Sequence, residues 1–193
     1  KTAAGDIFDN FDAQAVATVT TAETNAAAGN AAMLTSPGGA NSMFYTLPTF
    51  IDDLALTASY NPKAAAAASS QAFAATYTGV EGLSVSYGMG SDDSGIKLYS
   101  ADITSMKASY ALGSFTVAYS DHEFDSTTST RDQDTTSMSI AYTVSDAISV
   151  SYGTEEIDSG ETAVDAEYSQ INASYTAGGM TITAKSQEAE NIS

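Results

Sequence analysis

The 193-residue sequence contains no cysteine, no tryptophan, three prolines and a single histidine. Without cysteine there is neither a disulfide framework nor a thiolate metal centre. Basic residues are scarce: 6 Lys and Arg stand against 24 Asp and Glu, a formal net charge of −18. Such a balance argues against a nucleic-acid partner, which needs a cationic face to neutralise phosphates. It argues equally against adhesion by charge to an anionic membrane surface. An acidic surface suits cations, divalent metals or plain solvation. No run of 18 apolar residues occurs, so no transmembrane helix is expected. A membrane crossed by strands stays open, because each strand needs only ~9–11 residues of alternating character. The opening KTAAGD (1–6) lacks the apolar core of a secretory signal, and the closing EAENIS (188–193) is polar. The expectation is a trimmed chain or a piece of a longer one.

What is present is a rhythm. The phrase SVSYG stands at 84–88 and again at 149–153. LSVSY (83–87), FTVAY (115–119) and ISVSY (148–152) share one pattern of apolar, small, Val, small, Tyr, and their tyrosines Tyr87, Tyr119 and Tyr152 are 32 and 33 residues apart. A second series, Tyr45, Tyr77, Tyr110, Tyr142 and Tyr175, runs at spacings of 32, 33, 32 and 33. The repeat is therefore near 33 residues with two units in each. Within a unit the period is two: Met138, Ile140, Tyr142 and Val144 alternate with Ser139, Ala141 and Thr143. That is a strand with one apolar and one polar or small face.

The connections alternate as well. TGVEG (78–82), ALGS (111–114), TVSDA (143–147) and TAGG (176–179) are short; the segments 88–100, 121–134 and 153–167 are long, polar and acidic. Antiparallel strands with every long loop at one end form an up-and-down meander. Ten strands are expected, near 41–47, 54–60, 71–78, 82–89, 101–111, 114–123, 135–144, 147–154, 168–176 and 179–187. The Ala-rich stretches 13–32 and 64–68 fit no strand and carry good helix propensity.

The alternation alone suits either a soluble sandwich or a membrane barrel. Three features favour the barrel: tyrosines near strand ends as an interfacial girdle, loops strictly short at one end, and a polar face that is small and hydroxylated. The other reading is a secreted or cell-surface β-repeat protein, structural or adhesive, whose tyrosine rows make a dry core.

Asn41–Tyr60, NSMFYTLPTFIDDLALTASY, resembles the segment of Gram-negative general porins after the constriction loop. The hairpins carrying GLSVSY, GSFTVAY and GGMTITA resemble the later hairpins of those porins. The resemblance covers about three quarters of the chain. It implies an all-β, up-and-down transmembrane barrel of 16 strands, assembled as a homotrimer in a Gram-negative outer membrane. It implies a non-enzymatic, water-filled channel for small hydrophilic solutes and ions, bordered by lipid and lipopolysaccharide. Residues 1–40 would be the constriction loop and 41–193 barrel strands 6 to 15 of one domain, with five strands before and a terminal Phe-ended strand after them missing from this chain.

On that plan Asp6, Asp9 and Asp12 in GDIFDNFD would be the constriction carboxylates; otherwise they are a solvated loop. Lys107 and Lys185 have the phase of the lumen, together with Ser84, Ser86, Ser149 and Ser151. Tyr45, Tyr77, Tyr110, Tyr142 and Tyr175 would form the aromatic girdle. The acidic balance suggests a cation-leaning pore. No cofactor is expected beyond Ca²⁺ or Mg²⁺ held loosely at the acidic loops. Asp132 and Asp134 in RDQD (131–134) offer two carboxylates, without the Gly and distant Glu of an EF-hand. His122 lies in what reads as an acidic loop with no nucleophile beside it, the setting of a surface histidine and not of a catalytic base. GMGSDDSG (88–95) lacks the GK[ST] of a phosphate loop.

Overall fold

A computed structural model describes residues 43–62, 69–92, 101–126, 132–160 and 163–191. It holds ten strands: β1 (Met43–Thr46), β2 (Leu54–Asn61), β3 (Ser70–Tyr77), β4 (Leu83–Asp92), β5 (Ala101–Leu112), β6 (Phe115–Ser126), β7 (Gln133–Ser145), β8 (Ile148–Ser159), β9 (Ala166–Ala177) and β10 (Met180–Glu190). They form one sheet in chain order, each antiparallel to the next. No helix among the described residues is long and apolar enough to cross a membrane.

The short turns carry the chemistry that tight reversal demands. Gly82 has φ of 77°, Gly113 of 60°, Gly178 of 58° and Gly179 of 80°, all in the left-handed region that a Cβ disfavours. At Gly82 a Cβ would also meet the carbonyl oxygen of Ala111, whose amide donates to the Gly82 carbonyl at 2.8 Å. This hydrogen bond ties the β3–β4 turn to β5.

All ten expected strands are present. Their ends near the short turns fall within two residues of expectation, whereas the ends near the long loops run further. β8 continues to Ser159 and β6 to Ser126. The segments 124–126, 155–159 and 90–92, beyond the expected strand ends, are therefore strand. Their polar side chains hid an extended backbone that pairs with both neighbours, as in Glu156 between Thr136 and Glu167. The expected loop and constriction segment 1–40 and the Ala-rich stretches 13–32 and 64–68 lie outside the described residues.

The two faces differ in burial. On β7 and β8 the inner-facing Ser137 and Glu155 are 2% and 5% exposed. The outer-facing Met138 and Tyr152 are 56% and 46% exposed. Two small apolar clusters sit on the inner face near the long loops. One joins Ala72 and Ile103 with Ala74 and Phe124; the other joins Ile157 and Tyr168 with Ala166. Gly90 pairs with both Ala72 and Ile103, and a Cβ there would press on Ala72.

Candidate functional site

The inner face is a ladder of small polar groups. Because antiparallel partners lie on the same side of the sheet, each row can be followed from strand to strand. One row reads Ser86, Lys107, Ser120, Ser137, Glu155, Tyr168. The next, nearer the short turns, reads Ser84, Ser109, Ala118, Ser139, Gly153, Gln170, Gln187. Further down come Ser151, Asn172 and Lys185, then Ser149, Ser174 and Thr183. All six expected lumen residues, Lys107, Lys185, Ser84, Ser86, Ser149 and Ser151, thus share one face of the sheet.

Their hydrogen bonds run mostly across the strands, with Gln133 to Thr135 running along β7. Thr76 and Ser86 hydroxyls lie 3.0 Å apart, and those of Ser149 and Ser174 2.7 Å apart. Ser137 Oγ donates to Glu155 Oε2 at 2.8 Å. Gln133 Nε2 donates to Thr135 Oγ1 at 3.0 Å, and Gln187 Nε2 donates to Gln170 Oε1. Ser120 Oγ and Asn172 Oδ1 are buried on this face and make no hydrogen bond among the described residues.

Two residues stand elsewhere than the sequence suggests. His122 is not in a loop but on β6, opposite Ser105 and Thr135. It is half-buried on the inner face, with Nδ1 2.8 Å from the Ser105 hydroxyl. Ser105 is fully buried, so the pair is a structural tie inside the wall. Glu155, expected among the loop acids, is on β8 and faces inward. Among the described side chains of the strands it is the one carboxylate on this face, while Lys107, Lys185 and His122 are its basic groups. Its phase was legible: Ser149 and Ser151 count forward by twos to Glu155 once the strand is carried past Gly153.

The outer face holds the tyrosines. Tyr77, Tyr110, Tyr142 and Tyr175 lie in rows next to the short turns, opposite Val85, Val117, Val150 and Ile148. Tyr45 has the same phase on β1. Tyr142 stacks on Phe115 with ring centroids 4.4 Å apart. Tyr87, Tyr119 and Tyr152 stand further along, opposite Met106, Met138 and Ile140. Beyond them the same face turns acidic, with Asp121, Glu123, Asp134, Glu156, Asp158 and Glu167 on strands. Asp121 accepts from Tyr119 and from Thr136, each at 3.2 Å. Asp132 accepts the Ser126 amide at 2.8 Å, closing the β6–β7 loop, while Asp134 belongs to the outer acidic rows. No group of three or more acidic or histidine side chains among the described residues is placed to hold a metal ion. Asp6, Asp9 and Asp12 lie outside the described residues.

A single meander sheet with a hydroxyl and amide inner face and an exposed aliphatic and tyrosine outer face has the makeup of a transmembrane β-barrel wall. A soluble repeat protein with a dry tyrosine core would bury those tyrosines instead. The profile of the Gram-negative porins matches residues 1–191, and the chain belongs to that family. Its fold is similar to that of a porin refined at 1.8 Å resolution, with 21% identity over 76% of this chain and 55% of that one and a TM-score of 0.61. It is also similar to a mutant Rh. blastica porin, at 19% identity over 78% of this chain and 50% of the other, TM-score 0.56. In-vitro folded OmpT, an outer membrane protein of Vibrio cholerae, gives 18% identity over 77% and 53%, TM-score 0.55. The chain thus spans about half the length of the solved structures it matches. Among curated proteins no sequence matches it.

Proposed function

We propose that β1–β10 form part of the wall of a passive diffusion channel in a Gram-negative outer membrane, open to small hydrophilic solutes and ions. The observation carrying this reading is the inner face, where serine, threonine, asparagine and glutamine side chains line every row. Such groups exchange hydrogen bonds with water without holding a solute tightly, which is what conduction needs. No step of the function calls for an enzyme: the one histidine is tied to a fully buried serine. Membership of the porin family supports the location, and a trimer form among the similar solved structures supports a homotrimer. Residues 1–40, with Asp6, Asp9 and Asp12, would supply the constriction.

We further assign the channel a cation preference. The overall acidic balance of the chain supports it; on the inner wall Glu155 acts with it and Lys107 and Lys185 act against it. The test is reconstitution of the full-length protein in planar bilayers. Discrete conductance steps are expected, with a reversal potential of cation-selective sign under a KCl gradient. Folded protein that inserts without conductance steps would overturn the channel; an anion-selective potential would overturn the preference alone.

A further inference from the structure

The outer face carries a second feature that a featureless lipid-facing wall does not need. A groove of about 460 Å³ runs from the start of β4 across β5–β8, lined chiefly by Tyr110, Val117, Tyr119, Met138, Ile140 and Tyr152. That volume falls within the ~300–1,000 Å³ typical of small-molecule clefts. Its walls are almost wholly apolar. A second hollow of about 410 Å³ shares Met138, Tyr152 and Thr154 with the first and is bounded by Glu156, Glu167, Glu188 and Glu190. The two adjoin on the surface at these shared residues. Register shows how abruptly it changes: Met138 pairs with Thr154, Thr154 with Ser169, and Ser169 with Glu188. One row further from the short turns come Thr136, Glu156, Glu167 and Glu190. Aliphatic surface thus gives way to hydroxyls and then to carboxylates within two rows.

The sign of the charge selects the occupant. Lys107 and Lys185, the two lysines among the described strands, both face inward, so among the described residues the outer face of the strands has carboxylates and no cation. A phosphate head group placed there would be repelled, and the carboxylates are not grouped to hold a metal ion that could reverse their sign. An amine head group is attracted, and the Thr154 and Ser169 hydroxyls can accept its hydrogen bonds. We propose that this groove is a lipid site: it seats the acyl chain of an amine-headed amphiphile, whose ammonium rests among Glu156, Glu167, Glu188 and Glu190. The site lies on the opposite face from the channel and does not depend on conduction.

The experiment uses the full-length protein in an uncharged maltoside detergent. Photoreactive dodecylamine, dodecyl phosphate and dodecanol, each bearing a diazirine near the chain end, are cross-linked and mapped by peptide mass spectrometry. The amine is expected to label the segments around Met138 and Tyr152, and to compete with its unlabelled form at the lowest concentration of the three. The triple variant E156Q/E167Q/E190Q is expected to weaken the amine about tenfold, as three partly screened ion pairs allow, and to leave dodecanol unchanged. Ile140→Trp, which fills the groove, is expected to weaken all three. Labelling elsewhere, equal binding of the phosphate with or without Mg²⁺, or a triple variant within twofold of the parent would overturn the assignment. Should the triple variant not fold, raising NaCl to about 0.5 M on the parent decides it. Screening at that strength reaches only ~4 Å, so amine labelling falls while dodecanol labelling stays; an equal effect on both overturns the proposal.

Discussion

At the scale of single residues, the position of one carboxylate matters more than the total charge. Most of the acids face outward or lie in loops, where salt screens them from the pore. Glu155 faces inward on β8 and accepts from Ser137. Glu155→Gln is expected to lower the cation-to-anion permeability ratio of the full-length channel by roughly twofold, the order of effect for one partly screened lumen charge. Reversal potentials measured on parent and variant under the same KCl gradient check this; an unchanged ratio assigns the preference elsewhere. Gly82 is a residue whose role is conformational. Gly82→Ala places a Cβ against the Ala111 carbonyl at φ of 77° and is expected to cost about 1–3 kcal/mol. The temperature at which the folded, fast-migrating band disappears on a gel should fall accordingly. His122 shows the limit of reading residues one at a time. Its neighbours in sequence, Asp121 and Glu123, are acidic and exposed in phase, yet it points the other way, to Ser105. The alternation of a strand separates adjacent residues onto opposite faces, so local composition described a loop where the backbone was extended.

At the scale of the strand, the two faces answer to different solvents. Charge on the outer apolar rows is costly in lipid, while the inner rows meet water. Ile140→Arg, on the outer face, is expected to destabilise the folded protein by ~2–4 kcal/mol. Ser139→Arg, one residue away and facing inward, is expected to cost far less and to change conductance instead. Unfolding in urea, followed by tyrosine fluorescence in detergent, compares the two; equal losses would contradict the assignment of faces. The extension of the strands beyond the apolar rows is also checkable. Amides of Glu155–Ile157 on β8 are expected to exchange as slowly as those of Ser149–Gly153, since both stretches pair with β7 and β9. Fast exchange past Thr154 would return that segment to a loop.

At the scale of the whole molecule, closure is the governing issue. Among the described residues β1 and β10 do not pair with each other, and β1 and β10 are exposed along their lengths. Each unpaired backbone group costs several kcal/mol in hydrocarbon. A closed wall therefore draws on strands beyond β1–β10. A fragment of residues 43–191 alone is expected to aggregate on transfer from denaturant into maltoside micelles, and to show no band whose migration changes on heating. The full-length protein is expected to show one, at the size of a trimer. A soluble, monodisperse fragment would contradict the membrane reading.

The sequence by itself determined the meander, its ten strands and the phase of nearly every side chain. The reason is that strand periodicity is two and local: Tyr87, Tyr119 and Tyr152 repeat within hairpins, and the glycines of the short turns mark the reversals. It did not determine how far the strands continue, because pairing with both neighbours, not the polarity of residues such as Glu155 and Glu156, keeps the backbone extended. Nor could it align the rows. That Glu155 stands beside Ser137, His122 beside Ser105, and Glu156 beside Glu167 follows from register between hairpins, a property of the tertiary structure. The outer groove and its acidic end arise from the same source, since they are built chiefly from side chains on six strands, β5 to β10, that meet only when the sheet is assembled.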